Sequence, residues 1–232
     1  MRQPSQRCGS PDETADLFRF RTADGVELDG AMVGTGSIGV VLAHQYPADL
    51  CGWWPYANYL AGRGFRVLLF DFRCFGASDC PAGDARWDLT PDLQAASDQL
   101  RTQGARSVAL VGASLGGAAV LIAGSRVAPR ASSVVELSGE PDLQFIGAPL
   151  RAGTAVRRLR VPTLFVVARG DTAVSAAQTT RMWRDTPAAT KSLMILPSYA
   201  GHGWSMLTTT LTHWAPLARR IATFIRTQAA ET

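Results

Sequence analysis

Six short apolar runs limit what this 232-residue chain can fold into: "IGVVLA", "RVLLFD", "SVALVGA", "SSVVELS", "PTLFVVA" and "KSLMILP". Each is rich in Val, Ile and Leu and apolar on both faces, which is how a strand reads when neither face meets water. Between them lie stretches with helical spacing and breakers. "PDLQAASDQLRTQG" starts with Pro91 near its first turn and ends at Gly104. "THWAPLARRIATFIRTQ" is amphipathic, and Pro216 should confine its regular part to the residues after the proline. Repeated β-α alternation of this kind predicts a layered α/β domain, a mostly parallel sheet with helices on both faces and right-handed crossovers. Ahead of it, "LFRFR" and "VELDGAMV" alternate apolar and polar residues around Asp24–Gly25, the signal of a β-hairpin.

The length fits one such domain. A chain of this size buries roughly 70–75% of its unfolded surface, so disulfides are not required for stability. Residues 1–16 are polar and turn-rich and read as a flexible tail, leaving 17–232 as a single domain. The formal charge of +4 comes almost wholly from arginine, with Lys191 the only lysine. Charge scattered from Arg2 to Arg226 is that of a solvated surface. One cluster, Arg157, Arg158 and Arg160, stands out, but no basic run interleaves with aromatics as nucleic-acid binding would require. The cysteines, Cys8, Cys51, Cys74 and Cys80, form no C-x-x-C pair and no zinc-ligand spacing with a histidine. Free thiols are the default reading, with a bridge among Cys51, Cys74 and Cys80 left open. No apolar run approaches the ~20 residues of a membrane span. The start lacks the apolar stretch of a signal peptide. A cytoplasmic protein is therefore expected, although a chain trimmed of an export signal would read the same.

Chemistry concentrates at "LVGASLGGAAV". A strand ends at Ser114 and a helix comes next, so the turn between them is sharp, and Gly112 and Gly116 remove Cβ atoms that would crowd it. "GASLG" fits G-x-S-x-G, a serine presented at the sheet's carboxyl end beside a helix N-terminus. Two further strands end in polar loops: "TLFVVARGDTAV" brings Asp171, and "SLMILPSYAGHG" brings His202 between two glycines. Serine, acid and histidine in this order, each after a strand, resemble the α/β-hydrolase family, serine esterases and lysophospholipases with little or no cap among them. The resemblance runs over roughly residues 17–228 and implies the three-layer fold of that family.

It also implies a mechanism. His202 would take the Ser114 proton near neutral pH, and Asp171 would accept the other imidazole N–H and fix the tautomer. Glu140 and Asp142, just after "SSVVELS", rival Asp171 as the acid, and His213 reads as structural. "AHQYP" stands where the family carries His-Gly-x-Pro, so the backbone N–H groups of Tyr46 and Leu115 would form the oxyanion hole. Gln45 replaces the usual glycine. "FDFRCFGASD" resembles the family's D-x-R-G-x-G-x-S loop with Cys74 in place of a glycine, and Asp71 and Arg73 there read as a loop anchor. The interval 139–162 leaves roughly a dozen residues beyond the covering helix "RAGTAVRRL", too few for a separate cap. An open cleft is expected, with Gln45, Trp53, Trp54, Phe75, Phe145 and Trp204 as substrate-binding residues. The expected activity is hydrolysis of carboxylic esters or related small acyl compounds, with no cofactor and no metal. The alternatives are an acyltransferase, a haloperoxidase-like enzyme, or a non-catalytic binding protein on the same fold. The oligomeric state is left open.

Overall fold

A computed structural model describes residues 8, 16–83, 87–145, 148–207 and 214–231. An eight-stranded sheet runs through the middle of the molecule. Its strands are β1 (Asp16–Arg21), β2 (Glu27–Val33), β3 (Ile38–Ala43), β4 (Phe65–Phe70), β5 (Ser107–Ala113), β6 (Ser133–Leu137), β9 (Thr163–Ala168) and β10 (Lys191–Leu196), in the spatial order β1-β2-β4-β3-β5-β6-β9-β10. The expected hairpin forms the antiparallel edge, β1 on β2 and β2 on β4. All six both-face-apolar runs pair in parallel.

Two helices cover one face and three the other. On the first, α1 (Trp54–Ala61) and α6 (Trp214–Ala230) enclose a core with Val40, Val67, Val111, Val135 and Val166. On the second, α2 (Thr90–Thr102), α3 (Leu115–Ala123) and α5 (Ala176–Asp185) close over Val41, Leu68, Leu110, Val134 and Phe165. Alternate residues of one strand thus serve opposite cores, which is why those strands contain no polar face. Pro91 and Pro216 fall in the first turns of α2 and α6, where no intrahelical N–H is lost. Thus α6 starts two residues before Pro216 and not after it. His213 lies outside the described residues.

The interval 139–162 folds as a small hairpin, β7 (Leu143–Phe145) with β8 (Ala148–Leu150), and a single turn of helix, α4 (Ala152–Ala155). The expectation of free thiols is overturned. Cys8 is bonded to Cys51 and Cys74 to Cys80, so no described cysteine is free. Cys8 belongs to the stretch read as tail, and its bond ties that point to the loop after β3. Among the described residues, no helix is long and apolar enough to cross a membrane.

Candidate active site

Three crossovers deliver the site. β5, β9 and β10 end at the same edge of the sheet, and Ser114, Asp171 and His202 stand in the loops just beyond them. Ser114 has φ 50° and ψ −112°, a backbone state that a residue with a Cβ adopts only under constraint. The constraint is visible. The Ser114 N–H donates to the Leu137 carbonyl at 2.9 Å, the Ala118 N–H donates to the Ser114 carbonyl at 2.9 Å, and the Gly116 N–H donates to the His44 carbonyl at 3.1 Å. Any Cβ at Gly116 would run into the carbonyls of Ala43 and His44, so the loop after β3 can close on the helix only because this residue is glycine. Ser114 itself is 8% exposed. Leu115 is the first residue of α3, so its N–H has no intrahelical acceptor and lies beside the serine.

His202 is gripped from several sides. Its N–H donates to Ser205 Oγ at 2.8 Å, and that hydroxyl donates back to the His202 carbonyl at 2.7 Å. Ring atom Nδ1 lies 2.8 Å from Asp171 Oδ2 and 3.0 Å from Oδ1. With Nδ1–H directed at the carboxylate, Nε2 carries the lone pair. The next residue, Gly203, packs on Ala113, the neighbour of Ser114, which brings the imidazole loop to the serine. No Ser114–His202 hydrogen bond forms among the described residues. Such contacts are commonly long before substrate binds.

Burial raises the Asp171 carboxyl, but hydrogen bonds from Ser138, Val174 and His202 outweigh it and hold the group below its ordinary value. The Ala173 and Val174 N–H groups donate to Oδ1 at 2.9 and 3.1 Å, so Asp171 both caps the turn after it and holds the histidine. Of the rival acids, Asp142 is exposed. Glu140 is raised by burial and feels both His202 and Asp171, so it lies near the pair, yet neither rival hydrogen-bonds His202 among the described residues.

The remaining expected site residues divide. Gln45 Oε1 accepts the Trp204 N–H at 3.2 Å, so its side chain braces the histidine loop against the loop after β3. Trp204 is half-buried, edge-on to Trp53 at 5.7 Å. Phe75 stands edge-on to His44 at 5.1 Å and to Tyr46 at 6.1 Å, and Tyr46 is 49% exposed. Trp53 and Trp54 are not on the rim. They are 0% and 5% exposed, because the loop turns inward at Leu50–Trp53 and α1 begins at Trp54, which packs both indoles into the core. The Phe145 side chain lies outside the described residues.

Asp71 and Arg73 serve as loop anchors. Asp71 accepts the N–H groups of Leu50 and Ala77, both at 2.8 Å, and Arg73 is buried between Asp24 and Asp92. Ser138, which reading the sequence missed, hydrogen-bonds Asp171 and accepts the Gly203 N–H at 3.3 Å. Its signal was a polar residue one step past a fully buried strand, level with the loops that carry the other groups. A cavity of about 530 Å³ lies elsewhere, along the outer face of α3 between Trp87, Ile122, Leu150 and Arg158, and touches none of these groups.

The sequence model of the family described as alpha/beta hydrolase fold matches residues 39–154, half of the chain. The chain belongs to that family. Among curated proteins it is similar to the uncharacterized protein YfhR of Escherichia coli (strain K12), 30% identical over 129 residues, covering 51% of this chain and 45% of the relative. It is also similar to epoxide hydrolase 3 of Siraitia grosvenorii, 34% identical over 92 residues, covering 38% of this chain and 28% of the relative. The chain thus spans less than half the length of the curated relatives it matches. Among solved structures, the Pyrococcus furiosus esterase Pf2001 superimposes with a TM-score of 0.75 over 99% of this chain and 97% of that one, at 17% identity. At that identity the likeness speaks for the fold alone.

Proposed function

We propose that this member of the α/β-hydrolase family is a serine hydrolase of carboxylic esters or closely related acyl compounds. The observation that carries the reading is the His202–Asp171 contact at 2.8 Å, in a loop packed against the residue before Ser114. In this reading the Ser114 hydroxyl attacks the acyl carbon while Nε2 of His202 takes its proton. The tetrahedral oxyanion is met by the backbone N–H groups of Leu115 and Tyr46. His202 then hands its proton to the departing alcohol, leaving an acyl-enzyme that water cleaves by the same steps in reverse. Chemistry separates this from the activity named for the Siraitia grosvenorii relative. A serine opening an epoxide would be left as an ether, which water does not cleave, whereas a serine ester is readily hydrolysed. The substrate is met in an open cleft, with Phe75, Tyr46 and Trp204 on its rim and the β7–β8 hairpin too short to act as a cap.

A fluorophosphonate probe tests the reading. Ser114 should label, labelling should vanish in Ser114→Ala, and a panel of soluble short-chain esters should show saturation kinetics. A folded chain that neither labels nor hydrolyses any ester, thioester or lactone supports the non-catalytic alternative. The pairing of all four cysteines supports an oxidising compartment over the cytoplasm expected from the sequence. Alkylation without reductant should modify none of them.

A further inference from the structure

Glu136 is out of place. It sits in β6, "SVVEL", where every other side chain but Ser133 is apolar, and it is 0% exposed. Its backbone neighbours across the sheet are Gly112 and Phe165. A carboxyl is costly to bury, and deep burial pushes this one up to about 8, against the pull of the Gly139 and Val166 amides, with the Asp171 charge adding to the rise. It is therefore mostly the neutral acid at pH 7. The ester mechanism gives it no task.

Its contacts point to one. Oε2 accepts the Gly139 N–H at 2.7 Å, closing a loop over Leu137 and Ser138. Within that loop Ser138 has φ 54°, a strained state for a residue with a Cβ, and some local contact must hold it there. The three residues so held touch Ser114, Asp171, the histidine loop and α3. The Leu137 carbonyl takes the Ser114 N–H. The Ser138 hydroxyl bonds Asp171 and takes the Gly203 N–H, next to His202. Gly139 lies against Gly117 and Ala118 of α3.

We propose that Glu136 is a positioning residue for the Asp171–His202 pair, acting through the Ser138–Gly139 turn that its carboxyl clasps. This rests on the hydrolase reading for its effect on rate, and on geometry alone for its effect on the pair. Among the described residues the charged group that acts on it is Asp171, from the loop after β9, and Asp171 in turn is paired with His202 and felt by Glu140. Its cross-sheet neighbours on β5 and β9 are Gly112 and Phe165, neither of which carries charge. Among the described residues the clasp is made to a backbone amide and not to a cation, so a side chain that offers a carbonyl oxygen of the same reach should replace it.

The test uses the full chain and two readouts: the downfield proton signal of the His202 Nδ1–H, which needs no substrate, and kcat and KM on p-nitrophenyl acetate. Glu136→Leu removes the acceptor. It should shift the His202 signal upfield, speed its exchange with water, and lower kcat about 10–100-fold, as loss of an orienting partner does elsewhere, with KM changed less than about threefold. Glu136→Gln keeps an acceptor and should leave both readouts within about threefold of the unaltered chain. Ser138→Gly, which tolerates the positive φ, should reproduce the Glu136→Leu signal, and the double variant should be no worse than the worse single one. A folded Glu136→Leu with signal and kcat within about twofold of the unaltered chain overturns the proposal. Should Glu136→Leu not fold, Ser138→Gly decides, and an unchanged His202 signal there overturns it equally. An unaltered chain that hydrolyses nothing removes the hydrolase reading, while the His202 signal still tests the clasp.

Discussion

Two carboxylate–base pairs lie at the carboxyl edge of the sheet, and they differ in what they leave over. In the first, Arg73 is fully buried between Asp92, also fully buried, and Asp24. Its Nε donates to Asp92 at 2.8 Å, its Nη1 to Asp24 at 2.8 Å, and its Nη2 reaches both. Every guanidinium nitrogen is used. In the second, the Asp171 side chain is buried but the His202 side chain is 30% exposed, and among the described residues only Nδ1 is hydrogen-bonded. In the proposed mechanism the other ring nitrogen is the base. The same kinds of residue thus make an anchor where all capacity is spent inside the fold, and a site where one position stays open beside a strained serine.

The largest expected effect falls on the open pair's partner. Ser114→Ala should lower kcat/KM by at least about 10⁴-fold while leaving the melting temperature within about 2 °C, since only the nucleophile is lost. Asp171→Asn should cost on the order of 10³-fold, because an amide can hold the wrong histidine tautomer. Asp142→Asn should be near neutral. If Asp142→Asn is dead and Asp171→Asn healthy, the acid has been assigned to the wrong loop. The anchor should behave in the opposite way. Asp92→Ala leaves Nε of a buried guanidinium without its partner and Asp24 as its one remaining carboxylate, and should cost about 3–4 kcal/mol, roughly 10 °C in melting temperature, with kcat per folded molecule almost unchanged. A tenfold loss of kcat in the folded fraction would erase the contrast between the two pairs.

What could be read from the sequence divides along the same line. Strands buried on both faces, the hairpin around Asp24–Gly25 and the loops carrying Ser114, Asp171 and His202 were all legible, because periodicity and glycine placement are local properties. Long-range matters were not. Nothing in the spacing of Cys8 and Cys51, 43 residues apart, announces their bond. Gln45 meets the Trp204 backbone across 159 residues. Trp53 and Trp54 look like rim residues until a turn at Leu50 carries them inward. Glu136 was hidden by its own strand, since one carboxyl in "SSVVELS" does not disturb an apolar pattern, and only the closed turn at Gly139 gives it a purpose.

Glu136 also supplies a pH test. Its carboxyl is raised from an ordinary 4.5 to about 8 in the folded chain. Between those values the folded state keeps a proton that the unfolded state has given up. The group therefore lowers stability progressively as pH climbs from about 4.5 to 8, and adds no further change above that. Glu136→Gln has no such proton. Its melting temperature should match the unaltered chain near pH 4.5 and exceed it by roughly 10 °C at pH 8, the equivalent of about 4 kcal/mol for a carboxyl raised this far. Parallel melting curves across that range would mean that the carboxyl ionises freely where it stands.

The smallest effect sharpens the oxyanion side of the site. Tyr46 comes after His44 and Gln45, and its contribution to the proposed mechanism is a backbone N–H. Its ring is 49% exposed and stands edge-on to Phe75 at an interplanar angle of 79°. Phenylalanine keeps the backbone donor and the edge-on ring contact, losing only the hydroxyl. Tyr46→Phe should therefore leave kcat/KM within about twofold, an effect of a few tenths of a kcal/mol, with no change in melting temperature. The neighbouring Gln45→Ala provides the contrast. It removes the oxygen that takes the Trp204 N–H, and so loosens the histidine loop rather than the oxyanion donor. Its loss should be larger, about tenfold, and should appear in kcat. If Tyr46→Phe instead lost more than about tenfold with an intact fold, the hydroxyl itself would have to reach the substrate, and the open side of the site would extend beyond His202 to the loop after β3.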